Sequence, residues 1–179
     1  MKKITTVAAI RNPYSKRILG NILHRDPLSI CKKTPAGLKR LTNGLTRKEL
    51  QTPSGKGKWP MSYILANLCD AELVMGYRMR KVIAESGGTI QAYDQDKWAG
   101  SLRYDEADCL AKVELFGVLR KSHLTLLKSL SRREWQRFGI HSERGKETVE
   151  RMVQMLAGHD VNHLTQLKHI RETLLRKRK

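Results

Sequence analysis

The 179-residue chain predicts an all-α fold: a four-helix bundle behind an irregular N-terminal arm. Three observations carry that expectation. Three long stretches place apolar residues at steps of three and four, the spacing of a helix buried along one face. A shorter stretch ahead of them opens at Thr34-Pro35, a threonine N-cap followed by proline at the first helical position. No segment alternates apolar and polar residues as a confident strand would, and no repeat of fixed period is visible.

The elements follow in order. Residues 1–30 read as a basic arm with turn signals at Asn12-Pro13 and Asp26-Pro27, between which Ile18, Leu19, Ile22 and Leu23 form a short helix or a packed segment. The bundle is expected over 31–175. Its first helix starts at Thr34-Pro35 and buries Leu38, Leu41 and Leu45. Thr46 caps a short turn, and a loop at Pro53 to Lys58 leads to Trp59-Pro60. There the second helix opens, with Met61, Ile64, Leu65, Leu68, Ala71, Leu73, Val74 and Met75 on a broad apolar face that ends at Ser86-Gly87-Gly88. After an irregular crossing at 89–104, a third helix over Asp105 to Leu130 buries Cys109, Val113, Phe116, Leu119, His123, Leu126 and Leu130. Ser131 caps a turn around Trp135. A loop from Gly139 to Gly145 precedes the last helix, Glu147 to Leu175, and residues 176–179 form a basic tail that frays.

Composition excludes several classes. Hydrophobic residues make up 40% of a chain whose length suits one domain with one core. No apolar run is long enough to span a bilayer, and the first ten residues lack the apolar region of a secretory signal. Three widely spaced cysteines, Cys31, Cys69 and Cys109, point to reduced thiols in a cytoplasmic protein. The formal charge of +18 is uneven: net +12 over residues 1–58, +1 over 59–167 and +5 over 168–179. Basic ends suit a nucleic acid, but aromatics are only 6% and no recognition motif accompanies them, so solvated basic ends are the favoured account. The Pro53-Ser54-Gly55-Lys56-Gly57-Lys58 loop lacks phosphate-loop spacing. The aspartates of Tyr93 to Trp98 lack the glycine and closing glutamate of a calcium loop.

The stretch Leu156 to Leu167 carries the chemistry. Val149, Met152, Leu156, His159, His163, Leu167, Ile170 and Leu174 share one helix face, so two histidines one turn apart occupy a buried stripe. Neutral imidazoles at i and i+4 can share one divalent metal if other elements complete its shell. Packed histidines with ordinary hydrogen bonds are the alternative.

Several ordered motifs bear on that choice. Asn12-Pro13-Tyr14, Arg25 to Leu28, Gly57-Lys58-Trp59 opening a helix, Leu65 to Glu72, Tyr77 to Arg80, Asp94 to Trp98, His141 to Gly145 and Ala157 to Leu164 together resemble the DinB-like (YfiT-like) superfamily over residues 12–170. The resemblance implies a four-helix bundle, metal-dependent hydrolase or thiol-dependent S-transferase chemistry, a thiol or other small-molecule cosubstrate and a homodimer. It also implies a three-histidine site for nickel, zinc or iron. Two of those positions are His159 and His163. The third falls on Asn67, a neutral oxygen ligand much weaker than imidazole.

That departure leaves three outcomes: a metal-free binding or stress-related protein, weak binding through Asn67, or replacement by Asp70, His123 or His141. His141 reads as structural or pocket-lining, and His123 as packed at a core edge. No serine or cysteine nucleophile with a base stands out. The metal-poor member ranks first, the metal-dependent hydrolase or transferase close behind, and a nucleic-acid binder last.

Overall fold

The computed structural model describes residues 1–178. Its elements are α1 (Pro13–Gly20), α2 (Pro27–Thr42), α3 (Arg47–Gln51), α4 (Met61–Ala84), β1 (Thr89–Ile90), α5 (Gln95–Ser101), α6 (Cys109–Ser129), β2 (Phe138–His141), β3 (Gly145–Thr148) and α7 (Val149–Arg176). The expected bundle is formed by α2, α4, α6 and α7. Helix α2 packs on α6 and α7, and α4 packs on the same two, so the order around the bundle is α2, α7, α4, α6. No helix among the described residues is long and apolar enough to cross a membrane.

Several boundaries differ from the sequence expectation. Helix α2 begins at Pro27, capped by Asp26 Oδ1 accepting from Leu28 N–H at 3.1 Å, and Pro35 lies inside it. An internal proline has no N–H for the carbonyl four residues back. That carbonyl, Cys31 O, instead accepts from Arg120 Nη1 at 3.0 Å, so a tertiary donor replaces the missing one. The boundary expected between residues 30 and 31 therefore falls within a helix. Part of the arm belongs to the core as well: Ile4, Ile18, Leu19 and Ile22 are buried against Met152, Val153 and Leu156 of α7.

Three short strands stand where loops were expected. β2 pairs antiparallel with β3 and parallel with β1, with Ile90 beside His141. At two to four residues each they are too short to display a period of two. Gly145, at φ +74, begins the return strand in a conformation that favours glycine. The crossing at 89–104 contains α5, capped by Asp94. The third and fourth bundle helices start later than expected, at the caps Asp108 and Thr148. The tail is tied down up to Arg178, which makes a bidentate ion pair with Glu49 at 2.6 Å in both contacts; Lys179 lies outside the described residues.

The core has two apolar halves. One holds Ile30, Met79, Val82, Leu127 and Met152; the other holds Leu38, Leu65, Val113, Phe116, Leu167 and Ile170. Near the junction of the two sets every bundle helix carries buried polar residues: Thr34 on α2, Asn67 and Glu72 on α4, Arg120 and His123 on α6, and His159, Asp160 and His163 on α7. These side chains form a polar layer between the halves, to which Asn67, His159 and His163 all belong.

Candidate functional site

All eight residues expected on the buried stripe of α7 are buried, including both histidines at 8% exposure. Thr148 starts the helix by accepting from Arg151 N–H at 3.1 Å, which sets the phase of the whole stripe. One turn separates His159 from His163, and their Nε2 atoms lie 3.1 Å apart. Asn67, on α4 and 1% exposed, places Nδ2 3.3 Å from His163 Nε2. The three residues therefore converge on one point between α4 and α7.

A residue that sequence reasoning missed orients that point. His163 Nδ1 donates to Gln166 Oε1 at 2.7 Å, which leaves Nε2 as the unprotonated nitrogen of the neutral ring. Asn67 Nδ2–H and His159 Nε2–H both face the one lone pair of that nitrogen and share it. The signal was local: Gln166 lies three residues after His163, on a neighbouring position of the same face. Both rings are held neutral. Burial, reinforced by His163, Arg120 and Arg17, pushes His159 well below the usual histidine range. Burial lowers His163 to about 4, against the Gln166 hydrogen bond, which favours the charged form.

The other candidates lie elsewhere. Asp70 Oδ2 accepts from Tyr104 OH at 2.6 Å, and Lys112 is 3.9 Å from its other oxygen. His123 Nδ1 is 2.7 Å from Glu72 Oε1. His141 lines a separate cavity. Cys31 and Cys69 are buried, and burial raises both thiols, Cys69 to about 11, which removes them as nucleophiles near neutral pH. Among the described residues no group of three His, Cys, Asp or Glu side chains is placed to hold an ion.

The donor set decides how well a metal fits. Two imidazole nitrogens sharing one ion at about 2.0–2.1 Å stand about 2.9–3.4 Å apart at octahedral or tetrahedral angles, and the observed 3.1 Å lies in that window. The third position does not match. Asn67 is a neutral amide whose N–H already engages the nitrogen a metal would need. Arg17, bonded to Asn162 Oδ1 at 3.1 Å, adds positive charge that disfavours a cation here. The pair suits an ion; the set as a whole falls short of a tight transition-metal centre.

The site opens into a cavity of about 590 Å³ bounded by Tyr14 and Arg17 of α1, Trp59, Gln95, His159 and His163. The N-terminal arm thus supplies part of its wall. Behind the histidines, Arg120 spends all five of its N–H groups. Nε and Nη2 hold Glu72 at 2.8 and 2.7 Å, Nη1 and Nη2 hold Asp160 at 2.6 and 3.0 Å, and the remaining Nη1 proton goes to Cys31 O. Thr34 Oγ1 donates to Asp160 Oδ2 at 2.8 Å. Burial alone would raise the Glu72 carboxyl, but His123 and Arg120 outweigh it and hold it below its ordinary value.

A four-helix bundle with an inward-facing H-x-x-x-H pair and a facing helix that offers the third position defines a class of fold and site. The chain belongs to the DinB superfamily, whose family model matches residues 31–167. A protein of Oceanobacillus iheyensis named "Putative metal-dependent hydrolase" is 26% identical over 147 residues, covering 82% of this chain and 85% of that one. A Bacillus mycoides protein of the same description is 25% identical over 140 residues, covering 78% and 80%. The solved structure of YfiT from Bacillus subtilis, described as a probable metal-dependent hydrolase with an unusual four-helix bundle topology, superposes with a TM-score of 0.72 at 22% identity. That match covers 80% of this chain and 84% of YfiT.

Proposed function

We propose that this chain is a metal-poor member of the DinB superfamily whose Asn67-His159-His163 site serves a small-molecule binding pocket. The observation that carries the reading is the Asn67 contact at 3.3 Å, because an N–H donor occupies the lone pair that a third imidazole would leave free for an ion. His163 finds protein partners for both of its ring nitrogens without a cation, as a buried polar group must to be stable.

A second reading, a metal-dependent hydrolase, is favoured by the names of the relatives and by the 3.1 Å separation of the two Nε2 atoms. One pair of measurements separates the two. Elemental analysis of untagged protein should find nickel, zinc and iron well below one ion per chain. Asn67→His should then take up one zinc or nickel ion per chain, and its thermal midpoint should rise with added metal, by about 2.7 kcal/mol of stability at one hundred times the dissociation constant. A tightly held ion at one per chain in the unsubstituted protein would overturn the first reading in favour of the second.

A further inference from the structure

On the other side of His159 lies a second cavity of about 350 Å³, which shares Tyr14, Gln95 and His159 with the first. Two groups on its wall are left over by the fold. His141 is 1% exposed, and its Nδ1 accepts from Glu143 N–H at 3.1 Å, so Nε2 carries the ring proton. That N–H is buried and has no partner. A buried donor without an acceptor costs about 1–3 kcal/mol, so its persistence calls for a use.

Arg78 is the second. It is 8% exposed, donates to Gln91 O, lies 4.0 Å from the Met75 sulfur and sits over the Tyr93 ring at 5.7 Å. No carboxylate among the described residues stands within ion-pair distance of it. The other arginine on this wall, Arg144, is matched by a bidentate pair with Glu147 at 2.7 and 3.0 Å. The one carboxylate on the wall, Glu143, is exposed. A buried guanidinium without a counter-charge is costly, and it prefers a planar oxyanion above other partners. Facing these polar groups, Met75, Met155 and Leu156 give the cavity an apolar side.

The geometry points to this cavity as the seat of an organic carboxylate. The ligand's carboxylate accepts from His141 Nε2–H and balances Arg78. Its apolar body lies on Met75, Met155 and Leu156, with its far end toward His159. The inference rests on the reading of the site as a small-molecule pocket and adds the class of molecule; it holds whether or not His159 and His163 share an ion.

The test uses the full chain treated with chelator and three probes: phenylacetate, its neutral isostere phenylacetamide, and inorganic phosphate. Affinity is read by titration, and the His141 imidazole N–H by nuclear magnetic resonance. Phenylacetate should bind at least about tenfold more tightly than either other probe and should shift the His141 Nε2–H resonance, as expected for gain of a charge-assisted hydrogen bond. Arg78→Met should cost a similar factor, and Arg78→Lys should retain part of it. If Arg78→Met does not fold, the comparison of acid with amide on the unsubstituted protein decides alone. Equal affinity for acid and amide, an unmoved His141 resonance, or phosphate binding as well as phenylacetate would overturn the proposal. A stoichiometric metal would sink the metal-poor reading and leave this titration standing, whereas a flat titration would sink the carboxylate seat and leave the elemental analysis untouched.

Discussion

A buried arginine is admitted when every one of its donors is spent, and Arg120 meets that condition with two carboxylates and a carbonyl. Its replacement therefore exposes a debt on its partners. Arg120→Met should lose about 3–5 kcal/mol in a denaturant titration, because Glu72 and Asp160 would remain buried without a counter-charge. Replacing all three together with Met, Met and Leu should recover only part of that loss, since the buried charges go but Cys31 O and His123 Nδ1 lose their partners. Sequence periodicity placed Leu119 and Leu126 on the buried stripe of α6. The stripe instead shifts by one residue after Phe116 to Arg120, His123 and Leu127. Composition could not reveal this, because arginine is ordinarily a surface residue and its partners come from other helices.

At the scale of elements, glycine sets how closely helices approach. A Cβ on Gly158 would lie 2.3 Å from Ile18 O, so α1 rests directly on the backbone of α7. Alanine is intrinsically better than glycine in a helix interior by about 1 kcal/mol, so propensity alone predicts that Gly158→Ala stabilises. Packing predicts the opposite: a net loss of about 1–3 kcal/mol, with faster amide exchange confined chiefly to α1. The sign of the measured change decides which effect wins. Gly76 is used in the same way, since a Cβ there would come within 2.1 Å of His123 Nε2. Helix α2 shows why element boundaries were harder to read than element faces. Two Asx- or Thr-Pro pairs lie eight residues apart, each a plausible start, and only the Arg120 contact to Cys31 O lets the helix run through the second.

The whole molecule has a pH dependence that the neutral histidines impose. In the unfolded chain a histidine takes up a proton near pH 6.5, whereas folded His163 does so only near 4, and burial also holds folded His159 well below the ordinary value. Between those limits the unfolded state binds more protons, so stability is fully present above about pH 6.5 and falls as the pH drops toward the folded value. His163 alone should cost on the order of 2 kcal/mol between pH 7 and pH 5, seen as a falling denaturant midpoint in metal-free protein. His163→Gln should flatten that slope. His141, lowered by burial and by Arg144, adds to the same trend. An unchanged midpoint over this range would mean that the rings take up protons in the folded state as readily as in the unfolded one.

By itself the sequence determined the four helices, the faces they bury and the pair His159 and His163, because a period of 3.6 and the side-chain chemistry at each position are local properties. The resemblance to the DinB superfamily, rather than any local pattern, marked Asn67 as the odd residue. Only the tertiary structure decided that Asn67 meets His163, that Arg120 closes a polar layer across four helices and that the N-terminal arm walls the pocket. Such contacts join residues far apart in the chain, and no local pattern encodes which distant side chain will satisfy a buried charge.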